Sequence, residues 1–361
     1  MNLPKLQKTL QKNFLGQICL APFSIVYGAG VFLRKKIYEL GILKSRSVNV
    51  KVICVGNLTT GGTGKTTTVM FLAQMLAKQN IKVAIISRGY KSETTKNQVT
   101  ILSENTADWQ TAGDEPYMMY KSLEKYQIPV VVSANRYKAA QTAIDKFKSQ
   151  VLLLDDGFGH FKLKRDLDIV LVDARSNFSK DALLPLGNLR EPKSALRRAG
   201  LIMLTHCDLA DKNALNKIID GIKKYNSSVE IIKTRHNPTH FFDICRSEIV
   251  NLSEIGGKVS VLSAIGNPQS FEDTLKNLDL KLEQNWHYPD HHAFSLEELK
   301  TTYELKGDLP LITTYKDFVR FPLGWRQILK EKVYFLSINL DVIGGHKKLD
   351  DLKKILLPPN A

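Results

Sequence analysis

A glycine-rich segment near residue 60 carries the residue types best suited to phosphate chemistry. It reads VGNLTTGGTGKTTT over residues 55–68 and lies between an apolar stretch and a segment of helical composition. Its glycines would let backbone N–H groups curl around a phosphate, while Lys65 reaches the β- and γ-phosphates and the Thr66 hydroxyl binds Mg²⁺. The candidate nucleotide contacts in this segment are Thr59, Thr60, Gly61, Gly62, Thr63, Gly64, Lys65, Thr66 and Thr67.

The segment departs from the common phosphate-loop pattern GxxxxGK[ST] at one position. Thr59 stands where the first glycine would be. The shorter pattern GGxGK[ST] is typical of partitioning-type ATPases, but the position of their additional lysine is Thr60 here. The order of apolar strand, glycine-rich loop, Lys-Thr and helix still predicts a phosphate-binding loop.

A pair of aspartates ends a second apolar stretch and could hold the metal ion of such a site. Residues 151–154 are all apolar, and Asp155 and Asp156 follow them directly. This arrangement is typical of a Walker-B strand, whose terminal carboxylate holds Mg²⁺ directly or through water. The two motifs together predict a protein that uses ATP or GTP with Mg²⁺, and they leave the phosphate acceptor open.

Both motifs belong to a regular alternation of short apolar segments and helical segments. The candidate strands are residues 50–55, 83–86, 130–133, 151–154, 169–172 and 201–204, with helices at 65–78 and 135–148. Short apolar runs separated by helices predict buried parallel strands in a doubly wound α/β sheet.

The alternation breaks near residues 235–245, where the sequence RHNPTHFFDIC suggests a linker. A second, smaller alternation follows, with candidate strands at 259–263, 311–314 and 333–338 and a helix at 268–277. We therefore expect a basic, apolar N-terminal segment (1–46), a P-loop kinase domain (47–235) and a smaller C-terminal α/β domain (236–361).

The charge of the chain is uneven along its length. Its 361 residues include 51 Lys and Arg against 36 Asp and Glu, which gives a net charge of +15. The composition is otherwise ordinary for a globular protein, and it excludes disordered and collagen-like classes. Residues 1–51 hold nine cations and one glutamate, which is more than half of the excess. This balance predicts an anionic partner. The cations concentrate around an apolar run and form neither an interleaved aromatic platform nor a known nucleic-acid-binding motif, so a nucleic-acid partner is not expected.

Residues 14–33 form the longest uncharged run, and its twenty residues match the length of a membrane-spanning helix. Pro22, three glycines and the flanking cations leave four interpretations open: a cleaved signal peptide, a true span, a helix in the membrane interface and a buried hairpin. We favour the interfacial helix, with its cations on anionic headgroups.

The four cysteines are widely spaced along the chain. Their spacing predicts neither a zinc site nor disulfides, which fits a reducing compartment.

Further motifs, spread over most of the chain, resemble those of the tetraacyldisaccharide 4'-kinase (lipid A 4'-kinase) family of Gram-negative bacteria. The motifs are LAPFSIVYG (20–28), the phosphate loop, SRGY (87–90), GDEP (113–116), NRYKAA (135–140), DDGFGHFKLKRD (155–166), LLPLGNLREP (183–192), IGNPQSF (265–271), YPDHHAF (288–294) and TTYKD (313–317). Thr59 in place of the first glycine also resembles the phosphate loop of this family.

The resemblance implies an enzyme that transfers the γ-phosphate of ATP to the 4'-hydroxyl of a tetraacyldisaccharide 1-phosphate, giving lipid IVA. It also implies a peripheral membrane protein at the cytoplasmic face of the bacterial inner membrane, with ATP and Mg²⁺ as cofactors. Asp114 would accept the hydroxyl proton, with His291 as its partner from the second domain. The implied site residues are Asp114, His291, Lys65 and Arg190 (catalytic), Arg136 (nucleotide), Thr66, Asp155, Asp156 and Glu191 (metal), and Tyr90 and Glu115 (substrate).

Three positions depart from the family pattern or leave a choice. Gly159 replaces the glutamine of DDGFQH, and Tyr315 replaces the glutamate of TEKD. PDHH offers both His291 and His292, of which we favour His291 because it directly follows Asp290. A rival function is a membrane-associated partitioning-type ATPase or nucleotide switch that acts on a protein partner. Acyl-chain preference and oligomeric state are left open.

Overall fold

A computed structural model of the chain describes residues 3–89, 98–102, 108–176, 178 and 180–357. The helices are α1 (Leu3–Lys12), α2 (Phe14–Glu39), α3 (Lys65–Ala77), α4 (Trp109–Ala112), α5 (Asp114–Leu123), α6 (Arg136–Phe147), α7 (Lys212–Lys223), α8 (Pro268–Lys276), α9 (Leu296–Leu305), α10 (Tyr315–Phe318), α11 (Trp325–Ile328) and α12 (His346–Leu356). The strands are β1 (Lys51–Asn57), β2 (Val83–Ser87), β3 (Thr100–Leu102), β4 (Val130–Val132), β5 (Val151–Asp155), β6 (Leu167–Asp173), β7 (Leu201–Thr205), β8 (Glu230–Asp243), β9 (Glu248–Val250), β10 (Lys258–Ser263), β11 (Lys281–His287), β12 (Leu311–Thr314) and β13 (Val333–Gly344).

The strands form one mixed sheet in the order β11-β10-β12-β13-β8-β7-β6-β1-β5-β2-β4-β3, with β9 paired to β8. Within the half from β7 to β4 all neighbours are parallel, and the same is true from β13 to β11. We call the half with β1 to β7 and their helices the P-loop lobe, and the half with β10 to β12 and α8 to α11 the C-terminal lobe. The predicted α/β class and the parallel character of the sheet are confirmed.

Helices cover both faces of the sheet in the P-loop lobe, as a doubly wound fold requires. On one face α3, α5 and α12 pack on strand residues such as Ile53 and Leu153. On the other face α6 and α7 pack on alternate residues of the same strands, such as Cys54 and Leu152. Because these strands are buried on both faces, they are continuous apolar runs, which is why sequence alone predicted them.

The segment predicted to be a linker is instead part of a long strand, so that prediction is wrong. Residues 233–243 of β8 pair with β13 in antiparallel register, from Lys233 opposite Gly344 to Asp243 opposite Tyr334. Pro238 lies beside the irregularity between Ser337 and Ile338, where a missing N–H is tolerated. The predicted domain boundary at 235/236 falls inside β8, and α12 returns to the P-loop lobe. The division into domains stays a prediction.

The two-stranded ribbon of β8 and β13 explains why the two lobes face each other. β8 leaves the edge of β7 at Lys233, and its Phe241 pairs with Leu336, which is level with the end of β12 at Thr314. Since β12 runs antiparallel to β8, the carboxyl ends of both half-sheets point toward the same space. They are about 25 Å apart along β8, which leaves a cleft between them.

The N-terminal helices pack beside this cleft with one face only. Ser24 donates to the carbonyl of Leu183 at 2.8 Å, and Tyr27 donates to the carbonyl of Arg190 at 3.0 Å. The opposite face of α2 exposes large apolar side chains, namely Phe14, Leu15, Ile18, Phe23, Ile25, Val26, Phe32 and Leu33. Among the described residues, α2 is long and apolar enough to cross a membrane by length and composition. Because so many apolar side chains of α2 are exposed, the helix is not the buried core helix of the fourth interpretation, and the other three stay predictions.

Candidate active site

The phosphate loop connects β1 to α3 at the carboxyl edge of the P-loop lobe. Gly64 precedes α3 with a φ of 81°, and a Cβ there would lie 2.8 Å from His236 Nε2, so both backbone and space require glycine. Asn57 Nδ2 donates to Thr63 Oγ1 at 2.9 Å, and Lys65 Nζ donates to Asn57 Oδ1 at 3.3 Å. Asn57 thus ties the loop and its lysine to the end of β1.

The LREP segment is built directly onto this loop. The backbone N–H of Arg190 donates to Leu58 O at 2.6 Å, and that of Thr60 donates to Asn188 O at 2.8 Å. The Arg190 guanidinium donates to both carboxylate oxygens of Asp156, at 2.8 and 3.0 Å, and also to Asn57 Oδ1. Lys65 and Arg190 therefore place two cations around the aspartate that ends the Walker-B motif.

The two Walker-B aspartates differ in environment. Burial and the negative charges of Glu115 and Asp156 raise the pKa of Asp155 to about 7, although Lys65 and Arg136 oppose the shift. Burial also acts on Asp156, but the hydrogen bonds from Arg190 and the charge of Lys65 lower its pKa overall. A cation bound near Asp155 would favour its carboxylate form.

The oxygen donors at this point suit Mg²⁺, which prefers one or two carboxylates together with phosphate oxygens and water. Thr66, Asp155 and Asp156 all line the cleft beside the loop. Glu191, by contrast, accepts from Arg34 at 3.0 Å and from Arg198 at 3.5 Å. Across the described parts of the chain no three His, Cys, Asp or Glu residues converge in a preformed metal cage. Glu191 as a metal ligand therefore stays a prediction.

A carboxylate–histidine contact joins the two lobes across the cleft. Asp114 is the first residue of α5, and its Oδ2 lies 2.7 Å from His291 Nδ1. His291 follows β11 with a φ of 66°, whereas His292 contacts Glu298 at 3.0 Å. The structure therefore places His291, and not His292, against Asp114.

Two cations that the sequence reasoning missed surround this pair. Lys316 Nζ lies 3.9 Å from Asp114 Oδ2, and the fully buried Arg320 has Nη1 3.8 Å from the same oxygen. Burial would raise the pKa of Asp114, but the hydrogen bond from His291 and the charge of Lys316 lower it overall. Its position in the sequence could have indicated Lys316, because it closely follows the predicted strand 311–314, whose carboxyl end faces the cleft.

An open cleft of about 2400 Å³ contains both groups of residues. Its lining includes every candidate site residue from the sequence except Tyr90, which lies outside the described residues. Arg136 is deeply buried in the wall, where its Nη2 donates to the carbonyl of Asp155 at 3.3 Å. Its Nε makes no hydrogen bond within the described structure. The predicted phosphate-binding and proton-accepting residues thus share one space.

The two departures from the family pattern have different surroundings. A Cβ at Gly159 would lie 3.0 Å from Glu191 Oε1 and 3.4 Å from Arg34 Nη2, so a side chain there would compete with that ion pair. Tyr315 packs on Phe335 in the aromatic core of the C-terminal lobe, with ring centroids 4.6 Å apart. Burial raises its pKa to about 12. Tyr315 is therefore a core residue.

Comparisons with known proteins agree with these motifs. The family model described as tetraacyldisaccharide-1-P 4'-kinase matches residues 16–356. A tetraacyldisaccharide 4'-kinase of Elusimicrobium minutum is 49% identical over 99% of this chain and 96% of its own length. One from Aquifex aeolicus is 36% identical over 93% of this chain and 97% of its own. The crystal structure of Aquifex aeolicus LpxK in complex with ATP superposes with a TM-score of 0.73 at 31% identity, covering 94% of this chain and 99% of that one.

Proposed function

We infer the reaction from the premise that this chain belongs to the tetraacyldisaccharide-1-P 4'-kinase family. It is an ATP-dependent lipid kinase of lipid A biosynthesis. The γ-phosphate of ATP passes to the 4'-hydroxyl of a tetraacyldisaccharide 1-phosphate, and lipid IVA and ADP are the products. The observation that best supports this chemistry is the Asp114–His291 contact, which lies in the same cleft as the phosphate loop.

The proposed division of labour follows from the geometry of the cleft. The N–H groups of the phosphate loop and Lys65 bind the β- and γ-phosphates. The 4'-oxygen attacks the γ-phosphorus while the bond to the β-phosphate oxygen breaks. Phosphoryl transfer depends mainly on positioning and charge neutralisation, so Lys65 and Arg190 stabilise the charge on the transferred group.

The acceptor hydroxyl has a very high pKa and benefits from a nearby base. Asp114 takes that proton as the bond to phosphorus forms. His291 orients the carboxylate through the 2.7 Å contact of Nδ1 with Oδ2. Glu115 and Tyr90 are proposed to lie beside the substrate.

Mg²⁺ is expected to accompany ATP, and its proposed ligands on the protein side are Thr66, Asp155, Asp156 and Glu191. When bound, it would neutralise negative charge on the β- and γ-phosphates. Asp156 keeps its contact with Arg190 in the described structure, which aligns the carboxylate at the end of β5.

The phosphate that the lipid already carries needs a second cationic surface. Arg46, Arg88 and Lys162 line the cleft together with Arg136, the candidate nucleotide contact. Burial, followed by the positive charges of Arg136, Arg165, Lys162 and Arg88, lowers the pKa of His160 to about 4 beside these cations. We place the 1-phosphate of the substrate along this wall.

Membrane attachment is proposed to occur through α2. Its exposed face is apolar, its termini carry cations, and its other face packs beside the cleft. Such a helix suits the interface of an anionic leaflet, here the cytoplasmic face of the bacterial inner membrane. The acyl chains of the substrate would remain in the membrane while the sugar enters the cleft.

A labelled-phosphate assay tests the proposed function against the nucleotide-switch alternative. The purified chain is incubated with γ-labelled ATP and Mg²⁺, with and without a tetraacyldisaccharide 1-phosphate, and lipids are extracted. We expect label in the lipid and ATP turnover that depends on it. Equal hydrolysis without lipid, and no labelled lipid, would reject the kinase function and favour the switch.

A further inference from the structure

A lysine on the C-terminal lobe reaches across the cleft to acids of both lobes. Lys316 Nζ lies 3.3 Å from Glu115 Oε1 and 3.9 Å from Asp114 Oδ2, both on α5 of the P-loop lobe. The same atom lies 3.4 Å from Asp290 Oδ1, next to His291 on its own lobe. With 18% of its side chain exposed, Lys316 is held inside the contact between the lobes.

The position of Lys316 is fixed from beneath by a buried polar framework. Lys316 belongs to α10, a single helical turn that directly follows β12. Asp317 accepts the N–H of Ala264 at 3.1 Å and pairs with the fully buried Arg320, while Thr314 Oγ1 accepts the N–H of Asp317 at 3.0 Å. Because Thr314 ends β12 and Ala264 directly follows β10, these bonds tie the turn to both strands, and its lysine lines the cleft.

The charge balance requires a cation at this place. Three carboxylates, those of Asp114, Glu115 and Asp290, converge within 4 Å of one nitrogen. Burial alone would lower the pKa of Lys316, but the carboxylates of Glu115, Asp114 and Asp290 raise it overall. Without the ammonium group these acids would repel one another, and the contact between α5 and the 288–292 loop would open.

We propose that Lys316 is a positioning residue for the Asp114–His291 pair, and that its ammonium group holds α5 and the Asp290–His291 segment together so that the base is aligned when the cleft closes on the sugar. This role rests on the proposed function of Asp114 as the base. Lys316 acts through Asp114 and His291 and is not assigned a contact with the transferred phosphate. A misplacement of about 1 Å at a reacting group can reduce turnover by about 100-fold.

The test compares K316M, K316R and a control, K258M, in the full-length protein with labelled ATP and the tetraacyldisaccharide 1-phosphate. Lys258 forms an exposed ion pair with Glu283 at 3.0 Å on the outer edge of the C-terminal lobe, so K258M should match the wild type. We expect K316M to lower kcat by about 10- to 100-fold, with the KM for ATP within about twofold. K316R should restore most of kcat because it keeps the charge.

A second measurement separates positioning from a purely structural ion pair. In K316M the acidic limb of the kcat profile should move to higher pH, because Asp114 then loses one of the cations that favour its carboxylate. The groups that face Asp114 and can affect its pKa come from both lobes. The cationic or hydrogen-bonding groups are His291, Lys316 and Arg320, and the nearby acids are Glu115 and Asp290. An unchanged profile together with unchanged kcat would overturn the proposal.

A double-mutant cycle keeps the inference falsifiable if K316M is less stable. In a D114N background, K316M should reduce the remaining activity by less than about twofold, because the base it positions is absent. Independent, multiplicative losses would overturn the role assigned to Lys316. If the wild-type protein itself labels no lipid, the proposed kinase function is rejected. That result needs no variant and is therefore distinct from a failure of the role assigned to Lys316.

Discussion

The two sides of the cleft are assembled in different ways. The phosphate side consists of a continuous loop, residues 55–68, locked to the LREP segment inside one lobe. The base side joins Asp114 to His291, which are 177 residues apart, and adds Lys316 and Arg320 from a third segment. The phosphate side is therefore formed within a single folded unit, whereas the base side exists only when both lobes meet.

This difference separates two functions that a kinase must combine. ATP can bind to a preformed loop in an open cleft. In the proposed mechanism, proton transfer from the sugar depends on the contact between the lobes, and that contact would also exclude water from the activated phosphate. Damage to the phosphate side should therefore remove both binding and transfer, while damage to the base side should remove transfer alone.

The largest effect is expected from Lys65→Ala on the phosphate side. Lys65 Nζ donates to Asn57 Oδ1 and lies 4.0 Å from Asp156 Oδ1, and we propose that it binds the outer phosphates of ATP. We expect phosphate transfer to fall by more than about 1000-fold and nucleotide affinity to fall with it. Label transfer and equilibrium binding of a fluorescent ATP analogue measure the two effects. Lys78→Ala, at the exposed end of the same helix, is the control, and near-normal transfer by Lys65→Ala would contradict the phosphate-loop assignment.

A smaller and more selective effect is expected from Asp114→Asn on the base side. The amide keeps the shape of the carboxylate but cannot accept the hydroxyl proton. Turnover should fall by about 100- to 10,000-fold while the affinity for ATP changes little. Asp108→Asn is the control, because Asp108 caps α4 outside the cleft and asparagine caps helices equally well. A loss of ATP binding in Asp114→Asn would identify Asp114 as a nucleotide contact.

The same contrast explains how far the sequence could go. The P-loop lobe was predicted closely because its strands are buried on both faces and are continuous apolar runs. β8 was mistaken for a linker because its outer part lies in a two-stranded ribbon with half-buried, polar and aromatic side chains. β11 was not predicted, since this edge strand alternates exposed and half-buried residues of mixed polarity, from Lys281 to His287.

The candidate site divides along the same line. The phosphate loop could be predicted from residues alone because its chemistry depends on close spacing in sequence. Asp114 and His291 entered through the family resemblance, since no local pattern links residues so far apart. Lys316 and Arg320 were missed because an ion pair between lobes has no periodicity. The roles of all these residues stay predictions.

The exposed face of α2, which packs beside the phosphate side, allows a test of the proposed membrane attachment. Phe23 and Val26 are 65% and 71% exposed, and α2 packs against the LREP segment of the phosphate side. Replacing both with serine should lower co-sedimentation with anionic vesicles by about tenfold or more, because each apolar side chain contributes to insertion. Ile249→Ser, an exposed apolar position on β9, should leave sedimentation unchanged. Unaltered sedimentation of the α2 variant would move the attachment site elsewhere.

The smallest effect is expected at a second contact between the lobes, which involves neither Asp114 nor His291. Arg175 Nη1 donates to Ser270 Oγ of α8 at 2.8 Å, while the same guanidinium also binds Asp173. Ser270→Ala removes one exposed hydrogen bond, so closure should weaken by about 1 kcal/mol and kcat should fall by about two- to fivefold. ATP affinity should remain within error, and Ser228→Ala on the surface should behave as the wild type. If Ser270→Ala instead weakened ATP binding and left kcat unchanged, this contact would belong to the phosphate side, and closure of the lobes would depend on Lys316 and the Asp114–His291 pair.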